Sequence, residues 1–319
     1  MNLQLLAENL SNPALLFFFL GMIAVWLRSD LKIPSNSSKF ISLYLLFAIG
    51  FKGGQELSHS EITLEIVLTI CFGILTAVLI PFYTFFILKP RLGVENSGAI
   101  AAAYGSVSAV TFVTASTYLE AHSMQFSGHM VAVMALMEAP AIIVGVLLIK
   151  LFSRREQNNS SIWYISKHAL TNGSVLLILG SLVIGFIASE EQAMGIKPFT
   201  TDLFKGFLAI FLLDMGITSG RKISDFMKMG WFPLLFAILI PLINGILVAF
   251  FSKYVCTSPS DGFILAILAA SASYIAVPAA MKIAVPKANP GIFIPMALAI
   301  TFPFNITVGM PIYYFICMS

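Results

Sequence analysis

The chain has 319 residues, of which 58% are hydrophobic and 10% are charged. A soluble domain is usually about 45–50% apolar and about 25% charged, so this chain cannot bury its apolar surface in a water-soluble globule. The net charge of +3 is too small for a nucleic-acid-binding surface. Cys71, Cys256 and Cys317 lie far apart in apolar segments, which predicts inert core thiols rather than a disulfide scaffold. The composition is that of a polytopic membrane protein.

Ten apolar segments are predicted to cross the membrane as helices, since a helix needs about 20 apolar residues to span the hydrocarbon core. Their bounds are 12–28, 40–55, 62–88, 97–119, 128–152, 169–189, 203–220, 230–252, 262–281 and 291–317. The second and seventh are short and are predicted to end in glycine-rich sequence, at Gly50–Gly54 and Gly216–Gly220. Residues 1–11 contain no Lys or Arg, so the first apolar run is predicted to be retained as a span.

The basic residues predict the orientation of these spans. With the N-terminus outside, 14 of the 18 Lys and Arg residues lie in inside loops. The other four lie outside and are Lys52, Lys197, Lys205 and Lys253. Cytoplasmic loops carry such an excess of positive charge. We therefore predict a multi-pass protein of the plasma (inner) membrane, with both termini outside and the linker between its halves in the cytoplasm.

The two halves of the chain resemble each other, with offsets of about 159 to 166 residues between matched positions. The matches include Gly21 with Gly180, Gly50 and Gly54 with Gly216 and Gly220, and Ser106–Ser108 with Ser271–Ser273. They predict a first five-helix repeat at 1–152, a short linker at 153–168 and a second repeat at 169–319. Because each repeat has five spans, the two have opposite orientations in the membrane. Inverted repeats of this kind are typical of secondary transporters.

The predicted fold is therefore all-α, with ten transmembrane helices in two inverted five-helix repeats and with broken, crossing fourth and ninth helices. These two spans turn polar midway, at Ser106-Val107-Ser108 and Ser271-Ala272-Ser273, and contain the helix weakeners Gly105 and Pro278. A half-helix N-terminus within the membrane presents N–H groups to an anion. Freed carbonyls and hydroxyls suit a hard cation such as Na⁺. The alternative is that the serines are small residues for close helix packing.

Four further polar residues lie within predicted spans. Glu138 in the fifth span is a functional candidate, because an ionisable group inside a membrane is energetically expensive. Asn305 lies in the matching part of the tenth span. Cation coordination and a hydrogen bond that braces the broken helix are both open for Glu138 and Asn305. Asp214 either faces the substrate path or pairs with a neighbour, and Asn244 is assigned to helix–helix contact.

These considerations predict two adjoining ion sites near the membrane midplane. The anion site comprises Gly105, Ser106, Val107, Ser271, Ala272 and Ser273. The sodium site comprises Ser106, Ser108, Thr111, Glu138, Ser273, Thr301 and Asn305. The sequence predicts Na⁺ as a coupling ion, with no transition metal and no organic cofactor.

At these motifs the sequence resembles the cyanobacterial-type sodium-dependent bicarbonate transporters. The similar segments are 104–113, 270–281 and 301–305, and the similarity runs from near Pro13 to near Tyr314. The resemblance implies Na⁺/HCO₃⁻ symport by an elevator-type homotrimer. It implies a moving core domain at about 62–152 and 230–319, and a gate domain at about 12–55 and 169–220. It also implies a PII-like regulatory partner at the cytoplasmic face, although the linker here is shorter than the loop usual in that family.

The sequence is less consistent with other functions. Sodium-coupled symport of another small organic or inorganic anion remains the main alternative, since bile-acid transporters and proton antiporters share crossed fourth and ninth helices. The small Ala, Ser and Gly residues near the serines favour a small inorganic anion, and the absence of acidic residues from these two spans disfavours antiport. An intramembrane hydrolase would need a motif such as HExxH or GxSxG, and neither is present. The chain is therefore predicted not to be an enzyme, and a sensor or channel is disfavoured.

Overall fold

The structure is a computed structural model that describes residues 13–59, 63–153, 173–227 and 230–319, together with 163, 167 and 171. Residues 1–11, on which the predicted retention of the first span depends, and most of the predicted linker at 153–168 lie outside these residues.

The described part of the chain is helical and contains no strand. Its α-helices in chain order are α1 (Pro13–Trp26), α2 (Ser35–Ser58), α3 (Leu64–Gly105), α4 (Ala109–Ala121), α5 (His129–Phe152), α6 (Gly173–Ile187), α7 (Glu190–Lys197), α8 (Phe204–Met227), α9 (Trp231–Ser252), α10 (Pro259–Ala270), α11 (Ala276–Ala284), α12 (Pro290–Pro295), α13 (Phe302–Phe304) and α14 (Met310–Met318). Three π-helical segments lie between them, at Pro198–Asp202, Met296–Thr301 and Asn305–Gly309. The last helical run, from α12 to α14, is thus nearly continuous.

Every predicted span coincides with one or more of these helices. Five helical stretches are long and apolar enough to cross a membrane, namely Leu64–Ala121, His129–Phe152, Glu190–Ile223, Trp231–Ser252 and Pro290–Met318. Shorter apolar helices occupy the first, sixth and ninth predicted spans. The third and fourth predicted spans form one stretch because Gly93, with φ of 75°, joins two helices within α3. Glycine adopts this left-handed conformation without a steric penalty. The chain is a multi-pass membrane protein.

The predicted ends of the second and seventh spans in glycine-rich sequence were wrong. Helix α2 continues through Gly50 and Gly54 to Ser58, and α8 continues to Met227. A Cβ atom on Gly50 or Gly54 would collide with backbone atoms of α6. Glycine in a membrane helix lets a neighbouring backbone approach closely, so these residues are packing positions rather than helix ends.

Helices pack in pairs that leave one buried centre. Helix α1 packs on α8 and α2 packs on α6, while α3 packs on α5 and α9 packs on α10. Residues 98–105 at the end of α3 and 260–270 in α10 are buried along their whole length. Their small side chains allow this close packing, and it places the ends of both helices in the interior.

The three cysteines have different environments. Cys256 and Cys317 are buried, as predicted, whereas Cys71 is exposed. The prediction for Cys71 was wrong because this residue lies on a face of α3 that turns away from the other helices. Leu68 and Leu75 on the same helix are also exposed, so Cys71 belongs to an apolar outer surface.

Candidate functional site

The first helix interruption lies in the fourth predicted span, where α3 ends at Gly105 and α4 begins at Ala109. Ser106 ends α3 because its backbone is extended, with φ of −83° and ψ of 176°. Ser108 is the N-cap of α4, and its hydroxyl accepts a hydrogen bond from the Thr111 N–H at 3.2 Å. Serine stabilises a helix start in this way because it pairs one of the unsatisfied N–H groups.

The second interruption lies in the ninth predicted span, where α10 ends at Ala270 and α11 begins at Ala276. The Ser273 hydroxyl accepts a hydrogen bond from the Val277 N–H at 3.4 Å. Pro278 lies in the first turn of α11, where its missing N–H costs nothing. Pro278, the predicted helix weakener, therefore lies just after the interruption and not within it.

The two interruptions contact each other directly. The Ser108 N–H donates to the Ser271 hydroxyl at 2.9 Å, and the Ser273 N–H donates to the Ala103 carbonyl at 2.8 Å. All four serines of the two motifs, including Ser106, are buried. Within a membrane, backbone groups released from a helix must find partners inside the protein. Each interruption supplies such partners to the other.

A small cavity of about 20 Å³ lies at the N-terminal ends of α4 and α11. It is lined by Leu46, Val107, Ser108, Ala109, Glu138, Ser174, Ser273, Tyr274 and Ile275. A cavity of about 10–15 Å³ or more holds a water molecule when polar groups surround it. This cavity therefore has room for a single species about the size of water, among three serines, a tyrosine and a glutamate.

Glu138 of α5 is the acidic residue among the described lining of this cavity. No described group donates a hydrogen bond to its carboxylate. An ionised carboxylate in apolar surroundings is unfavourable without a partner. A cation in the cavity would supply that partner, and Ser108 and Ser273 line the same space.

Thr301 and Asn305 lie outside the cavity lining and make hydrogen bonds within the protein. The Thr301 hydroxyl donates to the Ala237 carbonyl at 2.7 Å and lies 2.7 Å from the Tyr104 hydroxyl. The Asn305 amide donates to the Ala270 carbonyl at 2.7 Å. These bonds attach the last helical run to α9 and to the end of α10.

The chain matches the Na⁺-dependent bicarbonate transporter superfamily over residues 13–318. It belongs to this superfamily. The match covers both interruptions, Glu138 and the last helical run, and confirms the resemblance stated from the serine motifs. A comparison with curated proteins finds no match.

In this member of the transporter superfamily, the remaining predicted site residues lie in the walls of the interruptions. Gly105 lies against the Pro81 ring. The Ser106 hydroxyl is buried and has no hydrogen-bonding partner among the described groups. Thr111 and Ala272 are also buried. Ser106, Thr111 and Ala272 are not among the described residues that line the cavity.

The two other intramembrane polar residues are engaged with neighbouring helices. Asp214 of α8 accepts a hydrogen bond from the Ser38 hydroxyl of α2 at 2.5 Å, so the pairing alternative holds for it. Asn244 of α9 accepts a hydrogen bond from the Tyr83 hydroxyl of α3, as its assignment to helix–helix contact requires.

Sequence reasoning missed several residues of the cavity. Tyr274 directly follows the second serine motif, so its position was a usable signal. Leu46 of α2 and Ser174 of α6 carried no such signal. They reach the cavity because α2 and α6 both contact α5, the helix that carries Glu138.

Replacing Gly105 with Ala is expected to abolish transport. The new Cβ atom would overlap the Pro81 ring and lie 3.2 Å from the Ala77 carbonyl oxygen, and overpacking of this kind costs about 1–3 kcal/mol. The end of α3 would have to shift, and the Ser108–Ser271 hydrogen bond would shift with it. The loss of transport is measured as uptake of radiolabelled bicarbonate by proteoliposomes that contain the variant.

Gly180→Ala is the matched control for this change, since nothing lies within 4 Å of a Cβ at Gly180. Gly180→Ala is expected to leave both uptake and thermal stability close to those of the natural protein. Full activity of Gly105→Ala would show that the tight contact with Pro81 does not position the interruption.

Proposed function

We propose that the protein imports bicarbonate by Na⁺/HCO₃⁻ symport with alternating access. The observation that carries this proposal is the cavity that Glu138 lines together with Ser108 and Ser273, where the Glu138 carboxylate has no described partner. Membership of the superfamily supports Na⁺ and bicarbonate as the transported ions.

The oxygen atoms of the cavity support a sodium site. Na⁺ is a hard cation and prefers oxygen ligands. Glu138 supplies a charged oxygen, and Ser108 and Ser273 supply neutral ones. We assign Thr301 and Asn305 to a supporting role, since their polar groups bind Ala237 and Ala270.

The helix N-termini beside the cavity support the anion site. Ala109 begins α4 and Ile275 is the N-cap of α11, and both line the cavity. N–H groups at a helix start attract an anion, and the helix dipole adds to this attraction. Bicarbonate is larger than the water-sized space available, so its entry requires the helices around the cavity to separate. This requirement fits an alternating-access mechanism.

The helix pairing supports two inverted repeats and a gate domain. Exchanging the repeats converts the pair α1 with α8 into the pair α6 with α2, and both pairs are closely packed. A Cβ on Gly21 would meet the Ile217 N–H, and a Cβ on Gly185 would meet the Phe51 carbonyl. Gly180 has open space instead, so Gly185 rather than Gly180 is the packing counterpart of Gly21. We propose that α1, α2, α6 and α8 form the gate and that the remaining long helices form the moving core.

Contacts at the two ends of the molecule support the proposed alternation of the spans across the membrane. On the predicted outside, Glu65 binds Thr257 and Ser127 binds Asp261. On the predicted inside, Asn96 binds Asn289. Each pair joins residues that the ten predicted spans place at the same side of the membrane, which agrees with the number and alternation of the spans. The proposal that both termini lie outside rests on the distribution of the basic residues. From the family resemblance we also propose a homotrimer and a PII-like partner at the cytoplasmic face.

The test is uptake of radiolabelled bicarbonate by purified protein in proteoliposomes. Uptake is expected to be faster with an inward sodium gradient than with an equal potassium gradient, and absent from empty liposomes. Nitrate, formate and sulfate are tested in parallel. Sodium-driven uptake of one of these without bicarbonate uptake would replace the proposed substrate, and uptake independent of sodium would overturn the symport.

A further inference from the structure

Three charged side chains meet at the outer end of the molecule. Lys52 of α2 donates a hydrogen bond to the Glu120 carboxylate of α4 at 3.0 Å. The Lys205 ammonium of α8 lies 3.4 Å from the other oxygen of the same carboxylate. One carboxylate thus binds two ammonium groups from two different helices, which we call the outer ion triad.

The outer ion triad spans a cavity of about 370 Å³. The cavity walls come from α2, from α4, from the segment before α5, and from the π-helical segment that precedes α8. Two further acidic residues, Glu56 and Asp202, line it. The helices are separated here by open space, and the outer ion triad connects them across it.

The triad joins helices of different proposed domains. Lys52 and Lys205 belong to gate helices, and Glu120 belongs to a core helix. The geometry points to a reversible electrostatic latch, in which Glu120 holds the core against both gate helices in the state described and must leave both lysines when the core moves. This inference rests on the proposed gate and core domains and goes beyond them by naming the contact that opposes their movement.

Partly exposed charges are suited to a latch that opens. The side chains of Lys52, Glu120 and Lys205 are 44%, 30% and 66% exposed. Water and salt weaken such pairs, so they favour one state without locking it. A modest interaction energy in the outer ion triad is sufficient to favour one state over the other, because states that interconvert during function differ little in free energy.

A disulfide between the proposed gate and core can report how often the two domains lie against each other as they do in this structure. An ideal Cβ on Gly53 of α2 would lie 3.1 Å from the Val131 Cβ of α5. This is shorter than the roughly 3.5–4.5 Å found in disulfides, so a separation of the two positions by about half an ångström brings the pair into that range. Gly53→Cys and Val131→Cys are therefore combined in a background with Cys71→Ser. The initial rate of oxidative disulfide formation measures how often the described arrangement is occupied, without any transport.

Adding Glu120→Gln to this reporter is expected to slow disulfide formation about threefold at low salt, a change of the size that partly exposed ion pairs produce. High salt is expected to slow disulfide formation to a similar extent in the reporter that retains Glu120. It is expected to have little effect on the rate in the reporter that carries Glu120→Gln. Glu190→Gln is the matched control, because Glu190 is also on the outer face but pairs with His59 near the end of α2. It is expected to leave the rate unchanged.

Reversal of all three charges provides a second variant. The combination of Lys52→Glu, Lys205→Glu and Glu120→Lys rebuilds the outer ion triad with opposite signs and is expected to restore the disulfide rate. An unchanged rate in Glu120→Gln, or insensitivity of the unmodified reporter to salt, would overturn the latch even if sodium drives bicarbonate uptake. A slowed rate without bicarbonate uptake would keep the latch and reject the proposed substrate.

Discussion

Glu138→Gln is expected to raise the sodium concentration for half-maximal bicarbonate uptake at least tenfold. The Glu138 carboxylate lines the cavity and has no described hydrogen-bonding partner, so a bound cation is its natural partner. Two unit charges 4 Å apart interact by about 4 kcal/mol at an effective dielectric constant of about 20. Because each 1.4 kcal/mol is about tenfold in affinity, even a third of this interaction gives the expected shift. Glutamine retains a carbonyl oxygen at this position, so the substitution removes the negative charge and leaves one oxygen ligand for the cation.

The measurement is the sodium dependence of initial uptake rates, with the amount of reconstituted protein determined for each variant. Glu191→Gln is the matched control, since Glu191 is exposed in α7 and far along the chain from the serine motifs. It is expected to keep the natural sodium dependence. An unchanged sodium curve in Glu138→Gln, with only less folded protein, would assign Glu138 to bracing the broken helices.

Sodium and bicarbonate are each expected to lower the apparent KM for the other, by about 5-fold to 150-fold, which is the usual range of coupling between sites. Helix N-termini alone contribute about 0.3–1 kcal/mol each to anion binding, and stripping water from the anion costs far more. A sodium ion beside the anion offsets part of this cost, so each ion binds well when the other is present. Linkage requires the two ions to raise each other's binding affinity by the same factor, whereas the two apparent KM values are kinetic quantities and need not change equally.

Ser273→Ala is expected to weaken both effects together. Its hydroxyl lines the cavity beside Glu138 and also accepts the Val277 N–H at the start of α11. Its removal therefore takes an oxygen from the sodium site and loosens the helix start at the anion site. Ser108→Ala is expected to act in the same way, because Ser108 occupies the equivalent position at the start of α4.

Calorimetric titration of purified protein with bicarbonate, in sodium and in potassium buffers, measures the coupling without transport. Ser252→Ala is the matched control, since this buried serine donates to the Ala249 carbonyl within its own helix and does not line the cavity. Equal bicarbonate affinity in the two buffers would contradict the mechanism. Loss of coupling in Ser252→Ala would show that any buried serine has this effect.

Much of the fold is readable from local sequence. Apolar length located the helices, because a segment that crosses a membrane needs a long apolar run whatever its neighbours are. The interruptions at Ser106–Ser108 and Ser271–Ser273 were also readable. Serine and glycine weaken a helix and cap the next one through bonds to residues only a few positions away, such as Ser108 to Thr111.

At the glycine-rich segments, the local sequence alone predicts the helix ends incorrectly. Gly50 and Gly54 weaken a helix in isolation, which is why the second span was predicted to end there. In the structure α6 packs so closely that no side chain fits at these positions. The gain from close helix packing exceeds the local preference of glycine for a helix end.

The sequence by itself determined the class of protein, the positions of the helices and the two interruptions, because each depends on composition or on residues close together in the chain. Tertiary structure alone decided which groups meet: Glu138 with Ser273 in the cavity, Asn305 with Ala270, and Glu120 with Lys52 and Lys205. These residues are at least 35 positions apart in the chain in every case, and 135 apart for Glu138 and Ser273. Their contact depends on how the helices pack, which no local pattern encodes.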